Sequence, residues 1–317
     1  MKRSIQNWFP VVQHHAWELL VFRLLMAWLL WKTIPETPFS YDATPAPNGL
    51  AVIFPVEIFH DPVVLKWTRR IAFLGLCLFV SGRWLCCALP LVAIACIGPS
   101  ALANSQGSIH HNLQLLHTAL VVVTIWHVGV LGRNLFFSGR FGRLERKEAL
   151  NLEAHFVKQS IAAGYVVSAV TKLINTQGAW ISQAQNFSLQ IRKTSGMYQH
   201  NFDTLPEETL SWIDRVPRYL EAMVLEYPWT GSWILAPGLL IELCAFLALI
   251  GRRSALVTGL CILLLHFTIG KVMHLHFQAN IHLVTLYFVN LPFLGYLLGK
   301  RLHAFVSGKA GSVKTAA

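Results

Sequence analysis

The chain has 317 residues, of which 54% are hydrophobic and only 13% charged, with a formal net charge of +11. A soluble domain of this size does not need so much apolar residue, so an ordinary globular class is excluded. The excess of lysine and arginine fits basic loops flanking membrane helices better than a nucleic-acid surface, because no basic stripe is interleaved with exposed aromatics.

Apolar runs of roughly 20 residues recur along the chain, each long enough to cross the hydrocarbon at 1.5 Å per residue. The pattern predicts an all-α polytopic membrane protein with a bundle of about eight spans. In chain order they are Glu18 to Thr33, Arg70 to Val80, Trp84 to Leu102, Leu113 to Leu131, Phe156 to Leu173, Gly231 to Ile250, Ser254 to Met273, and Phe277 to Leu298. The second and third runs can also be read as one re-entrant hairpin. Residues 1–306 form the membrane domain, 175–229 an outward-facing inserted loop, and 307–317 a small polar tail expected to be disordered.

Basic clusters test this order. Lys2 and Arg3, Arg83, the group from Arg133 to Lys147, Arg252 and Arg253, and Lys300 and Arg301 all fall on one side if both termini are cytoplasmic. Lys66, Arg69 and Arg70 are the exception, at the outer end of the second run. The expected location is a bacterial inner membrane, and the lipid bilayer is the first partner. No cleavable leader is expected, since Met1 to Pro10 is short and polar and no small-residue cleavage site follows the first run. The six cysteines lie in or beside apolar runs without metal spacing, so they read as packing residues; no metal site is expected.

The outward loop contains the stretch EETLSWIDRVPRYLEAM, in which Leu210, Ile213, Val216 and Leu220 recur at helical spacing. That spacing predicts an amphipathic helix lying on the membrane or capping the bundle.

Ionisable residues at membrane depth are costly and point to function or to pairing. Lys172 ends the fifth run. Read plainly, it reaches for the outer interface. Read as chemistry, it is an amine in an apolar pocket, able to act as a general base. His110, Gln114 and His117 share one face of the fourth run, with His111 beside them. Glu242 lies in the sixth run, His266 in the seventh, and His274 follows near the outer turn. Their similar depth suggests one polar pocket opening outward. A b-type haem held by His117 and His127 is disfavoured, because ten residues on a helix span about 15 Å and the two point in different directions.

Several of these segments resemble the vitamin K-dependent gamma-carboxylase family, including its bacterial membrane-domain relatives, the horizontally transferred transmembrane (HTTM) group. LVFRLLMAWLL and FLGLCLFVSGRW resemble the family's early helices, and HHNLQLL its histidine-bearing fourth helix. SAVTKLINTQGAW resembles the helix that ends in lysine and leucine before an outer tryptophan, here Lys172, Leu173 and Trp180. GLLIELCAFLALIGRRSALVTGLCILLLH resembles the paired helices that follow, with Glu242 and His266 at an acidic and a histidine position. The likeness is to a short form, as the chain stops at Ala317 without the family's lumenal domain. It implies carboxylase-like chemistry on a reduced, vitamin K hydroquinone-like quinone. Lys172 would be the base and His111 its partner; Trp180, Glu242 and His266 would line the pocket with His110, Gln114 and His274. A non-enzymatic role in maturation, export or immunity of a secreted peptide is the alternative.

Overall fold

A computed structural model describes residues 10–38, 49–105, 111–136, 144–182, 187–189, 191, 193, 212–273, 275 and 277–306. The described residues are helical or irregular, with no β-strand among them. The helices are α1 (Ala16–Thr33), α2 (Pro62–Ser81), α3 (Leu85–Ser105), α4 (His111–Phe136) and α5 (Arg146–Asn175). They continue with α6 (Trp212–Glu226), α7 (Pro228–Leu243), α8 (Arg252–Met273), α9 (Gln278–Val284) and α10 (Leu291–Val306). The tail at 307–317 lies outside the described residues.

Four segments are long and apolar enough to cross a membrane: α3, α4 from Asn112, α7 with the 3-10 turn that extends it to Leu249, and α8. A fifth exists if the bent pair α9–α10 counts as one span. The remaining long helices are interrupted by charge. α1 carries Glu18, Arg23 and Lys32; α2 carries Lys66, Arg69 and Arg70; α5 carries charges from Arg146 to Lys172. The chain is all-α with several candidate membrane helices, and length and composition alone support four or five crossings.

Contacts between helix ends fix their directions. Arg23 near the start of α1 meets Glu153 near the start of α5, so these two run the same way. Arg146 donates to Ser81 O at the end of α2, and Arg252 at the start of α8 meets Glu18. One end of the bundle therefore gathers the starts of α1, α5 and α8 with the end of α2. The other end gathers Thr33, Pro62 and Lys172.

Small residues let α2 and α3 approach. A Cβ on Gly75 would stand 2.8 Å from Val92 Cγ2 and 3.2 Å from Ala88 O, so only glycine fits. In lipid such close contact supplies the attraction that hydrophobicity supplies in water. Gly82 ends α2 in the left-handed conformation at φ 69°, and its amide donates to Phe79 O and Leu78 O. α2 and α3 are thus two helices of 20 and 21 residues joined by the short turn 82–84. The central core joins Phe22, Met26 and Leu30 of α1 to Leu89, Leu116, Leu120, Ile161 and Tyr287, all buried.

The single span expected from Phe277 to Leu298 is broken. α9 passes into a π-helical turn, Thr285–Val289, and Asn290 at φ 54° separates it from α10, with a bend of 47°. Asparagine tolerates the left-handed region, and its Oδ1 accepts the Phe293 amide. The amphipathic helix expected within residues 175–229 is present as α6, and it packs against α7 and α8. Its Val216, Leu220 and Val224 pack on Phe187, Ile191, Ile234, Leu235 and Val272. Leu210, from the same sequence stretch, lies outside the described residues.

Candidate functional site

Lys172 sits in the last turn of α5, which ends at Asn175. Its Nζ donates to Glu242 Oε1 at 2.7 Å and Oε2 at 2.5 Å. The chain then reverses through a helix cap that the sequence encodes locally. Gln177 and Gly178 both adopt positive φ, and the Gly178 amide donates to Leu173 O at 2.7 Å. Thr176 supports the cap by donating its hydroxyl to Lys172 O at 2.7 Å. The turn carries Trp180 back so that the Lys172 ammonium lies 5.6 Å from its ring centroid. The lysine side chain is 31% exposed and that of Glu242 only 9%, so the pair opens at the lysine.

Tyr165 lies seven residues earlier on α5, two turns below Lys172 and on the same face. Its hydroxyl is 2.6 Å from His266 Nε2 on α8. The Lys172–Glu242 pair joins α5 to α7, and the Tyr165–His266 hydrogen bond joins α5 to α8. His266 also packs against Phe277, with ring centroids 5.3 Å apart, and its Nδ1 is buried without a hydrogen-bond partner among the described residues.

The structure brings together Lys172, Trp180, Glu242 and His266. Gln114 is exposed on α4, where its backbone carbonyl accepts the Thr118 hydroxyl. His117 is half-buried on the same helix, and its Nε2 is enclosed without a partner among the described residues. His111 opens α4, with its side chain outside the description. His110 and His274 lie outside the described residues. Tyr165 escaped the sequence reading; its i−7 spacing from Lys172 was the available signal.

A second polar cluster occupies the opposite end. Glu153 accepts from Arg23 Nε at 3.2 Å and Nη2 at 2.6 Å, and contacts His127 Nε2 at 2.7 Å. Glu18 accepts from Arg252 Nη1 at 2.9 Å, Asn290 Nδ2 at 2.9 Å and the His15 amide at 2.8 Å, and contacts His14 Nδ1 at 3.2 Å. Lys158 is buried beside them, 4% exposed, and makes no hydrogen bond or ion pair with another described residue. Sequence reading missed this cluster although Glu18 and Arg23 stand inside the first apolar run. No family model, curated protein or solved structure matches the chain.

The two clusters differ in kind. The Glu153 cluster is closed, its carboxylate held by an arginine and a histidine that are both almost fully buried. The Lys172 cluster pairs a partly exposed lysine with a buried carboxylate beside a tyrosine–histidine hydrogen bond. Lys172 Nζ and the Glu242 carboxylate are joined by two short hydrogen bonds, with the lysine the more exposed partner.

Proposed function

We propose that the chain is an integral membrane protein that crosses the bilayer eight times, with both ends cytoplasmic, and performs base chemistry at Lys172 in an outward-facing pocket. The eight-span reading draws support from apolar faces that α1, α2 and α5 turn outward although each of these helices carries charge. Leu20, Leu24 and Trp28 are exposed on α1, Ile71 and Leu74 on α2, and Val167 and Ile174 on α5. Basic residues at Arg83, Arg146, Lys147, Arg252, Arg253, Lys300 and Arg301 then face a bacterial cytoplasm.

The observation that carries the reading is the pairing of Lys172 with Glu242 above Tyr165 and His266. In the gamma-carboxylase resemblance the lysine removes a proton from a reduced quinone. Glu242 takes the ammonium proton, the freed amine takes the quinol hydroxyl proton, and His111 assists at the quinol. Molecular oxygen is the co-reactant that turns the quinol anion into a stronger base for carboxylation. The test compares wild-type protein in nanodiscs with Lys172→Ala for oxygen-dependent consumption of a reduced menaquinone or vitamin K. Consumption by the wild type that the folded variant lacks supports the reading. No consumption by the wild type, or equal consumption by both, overturns it.

A second reading rests on the same pair. Both carboxylate oxygens of Glu242 are engaged by Lys172, as in a purely structural bridge. The chain then serves maturation, export or immunity of a secreted peptide without catalysis. A Lys172→Met/Glu242→Leu double variant that keeps full cellular function would favour it.

A further inference from the structure

A cavity of about 520 Å³ opens between the end of α1 and the start of α2, apart from the Lys172 cluster. It is within the size range of small-molecule sites. Lys66, Arg69 and Arg70 line it against one carboxylate, Glu36, with Trp31 and Phe73 as an apolar wall.

The three cations are not equivalent. Arg69 is already committed: it donates to Ile34 O at 2.8 Å and Glu36 Oε1 at 3.0 Å, and its guanidinium lies 4.6 Å from the Trp31 ring centroid. It neutralises Glu36 and ties α2 to the end of α1. Arg70 lies 4.9 Å from the Trp67 centroid and meets no carboxylate among the described residues. Lys66 makes no hydrogen bond or ion pair with another described residue. Two positive charges therefore face the cavity without a counter-charge among the described residues. The first turn of α2 adds its amide dipoles, with Asp61 capping Val63 N at 2.7 Å.

Below the charges the surface is apolar. Trp31 and Phe73 meet edge to face with centroids 5.7 Å apart, and Phe73, Ile71 and Leu74 are exposed on α2. A charged mouth above an exposed aromatic and aliphatic wall matches an anionic amphiphile lying along the helix. In the eight-span orientation this cluster is also the one that breaks the positive-inside pattern, which a need for cations at that place explains.

We propose that this cavity binds the phosphate of an anionic phospholipid, with Lys66 and Arg70 as the phosphate contacts and the acyl chains along Phe73 and Leu74. The orientation proposed above decides which leaflet supplies the lipid; the chemistry of the cavity does not depend on it.

The test uses the full chain in detergent, wild type and Lys66→Gln/Arg70→Gln, both substitutions at exposed positions. Thermal unfolding is followed with added phosphatidylglycerol, phosphatidylcholine or inorganic phosphate. Phosphatidylglycerol is expected to raise the wild-type midpoint by about 3 °C, as a ligand present well above its Kd does for a chain of this size. The double variant should lose that rise, and Lys66→Arg/Arg70→Lys should keep it. An equal rise with inorganic phosphate, lost in the same variant, keeps the phosphate site and makes free phosphate its source. No rise in the wild type, an equal rise in the Gln variant, or an equal rise with phosphatidylcholine overturns the proposal. If the Gln variant does not fold, lipid retention by the Arg/Lys exchange variant and by Trp31→Ala in native mass spectrometry decides instead. Retention equal to wild type in Trp31→Ala, or loss in the charge-conserving exchange variant, overturns the proposal, and loss in Trp31→Ala alone supports it. Lys172→Ala is expected to keep the lipid response, so this inference and the quinol reading fail separately.

Discussion

Lys172 and Glu242 stand 70 positions apart in the chain and meet through both carboxylate oxygens at 2.7 and 2.5 Å. The exposures are unequal, and so are the expected consequences of breaking the pair. Removing the lysine strands a carboxylate whose side chain is 9% exposed; removing the carboxylate leaves a lysine that still reaches solvent at 31%. Lys172→Met should therefore destabilise by about 2 kcal/mol and Glu242→Gln by about half that, with the double variant recovering part of the loss. Denaturation of purified protein in detergent measures all three, and equal single effects would contradict the asymmetry.

Arg23 holds Glu153 with two nitrogens while lying 5.4 Å from the centroid of Phe79. Lysine cannot reproduce that fork. Arg23→Lys should cost about 2 kcal/mol and Arg23→Met about 3–5 kcal/mol, because the latter leaves a buried carboxylate with His127 alone. The position of the thermal unfolding midpoint tests the ranking; a harmless Arg23→Lys would show that the second hydrogen bond contributes little.

Lys158 offers the opposite sign. It is a buried cation with no bonded counter-ion among the described residues, close enough to feel both Glu18 and Arg252. Replacing it with an apolar side chain of similar length removes a desolvated charge. Lys158→Met should raise stability by about 1 kcal/mol or more. A fall in the unfolding midpoint would mean that the ammonium has a partner essential to the fold.

His14 precedes α1 and is held below its usual range chiefly by burial, which outweighs the opposing hydrogen bond to Glu18; the charges of Lys158 and Arg252 add to the lowering. The unfolded chain binds a proton near pH 6.5, whereas the folded chain binds it only at lower pH. The stabilisation is therefore complete above about pH 6.5 and is lost as pH falls towards the folded value. Unfolding midpoints measured from pH 7.5 down to 5.5 should decline, and His14→Gln should flatten that decline. An unchanged slope in the variant would assign the effect elsewhere.

Much of the fold was legible in the chain. Apolar runs located the helices because a helix in lipid must be apolar over about 20 residues. The spacing of Val216 and Leu220 located α6 because helical period and burial coincide there. What composition could not settle was which charged helices cross, since Glu18, Arg23 and Lys158 are tolerable only once partners or neighbours from distant helices are known. The break at Asn290 was hidden for a similar reason. A π-turn keeps the run apolar while changing its direction.

The sequence by itself determined that Lys172, Glu242 and His266 stand on helices, because long apolar runs with helical periodicity locate the helices along the chain. Only the tertiary structure decided that Lys172 bonds Glu242, that Tyr165 bonds His266, and that Arg23 and Glu18 belong to a separate cluster at the other end. Rotation of each helix about its axis sets those partners. That rotation is fixed by close packing between neighbours such as α2 on α3 at Gly75, which no single run of residues encodes.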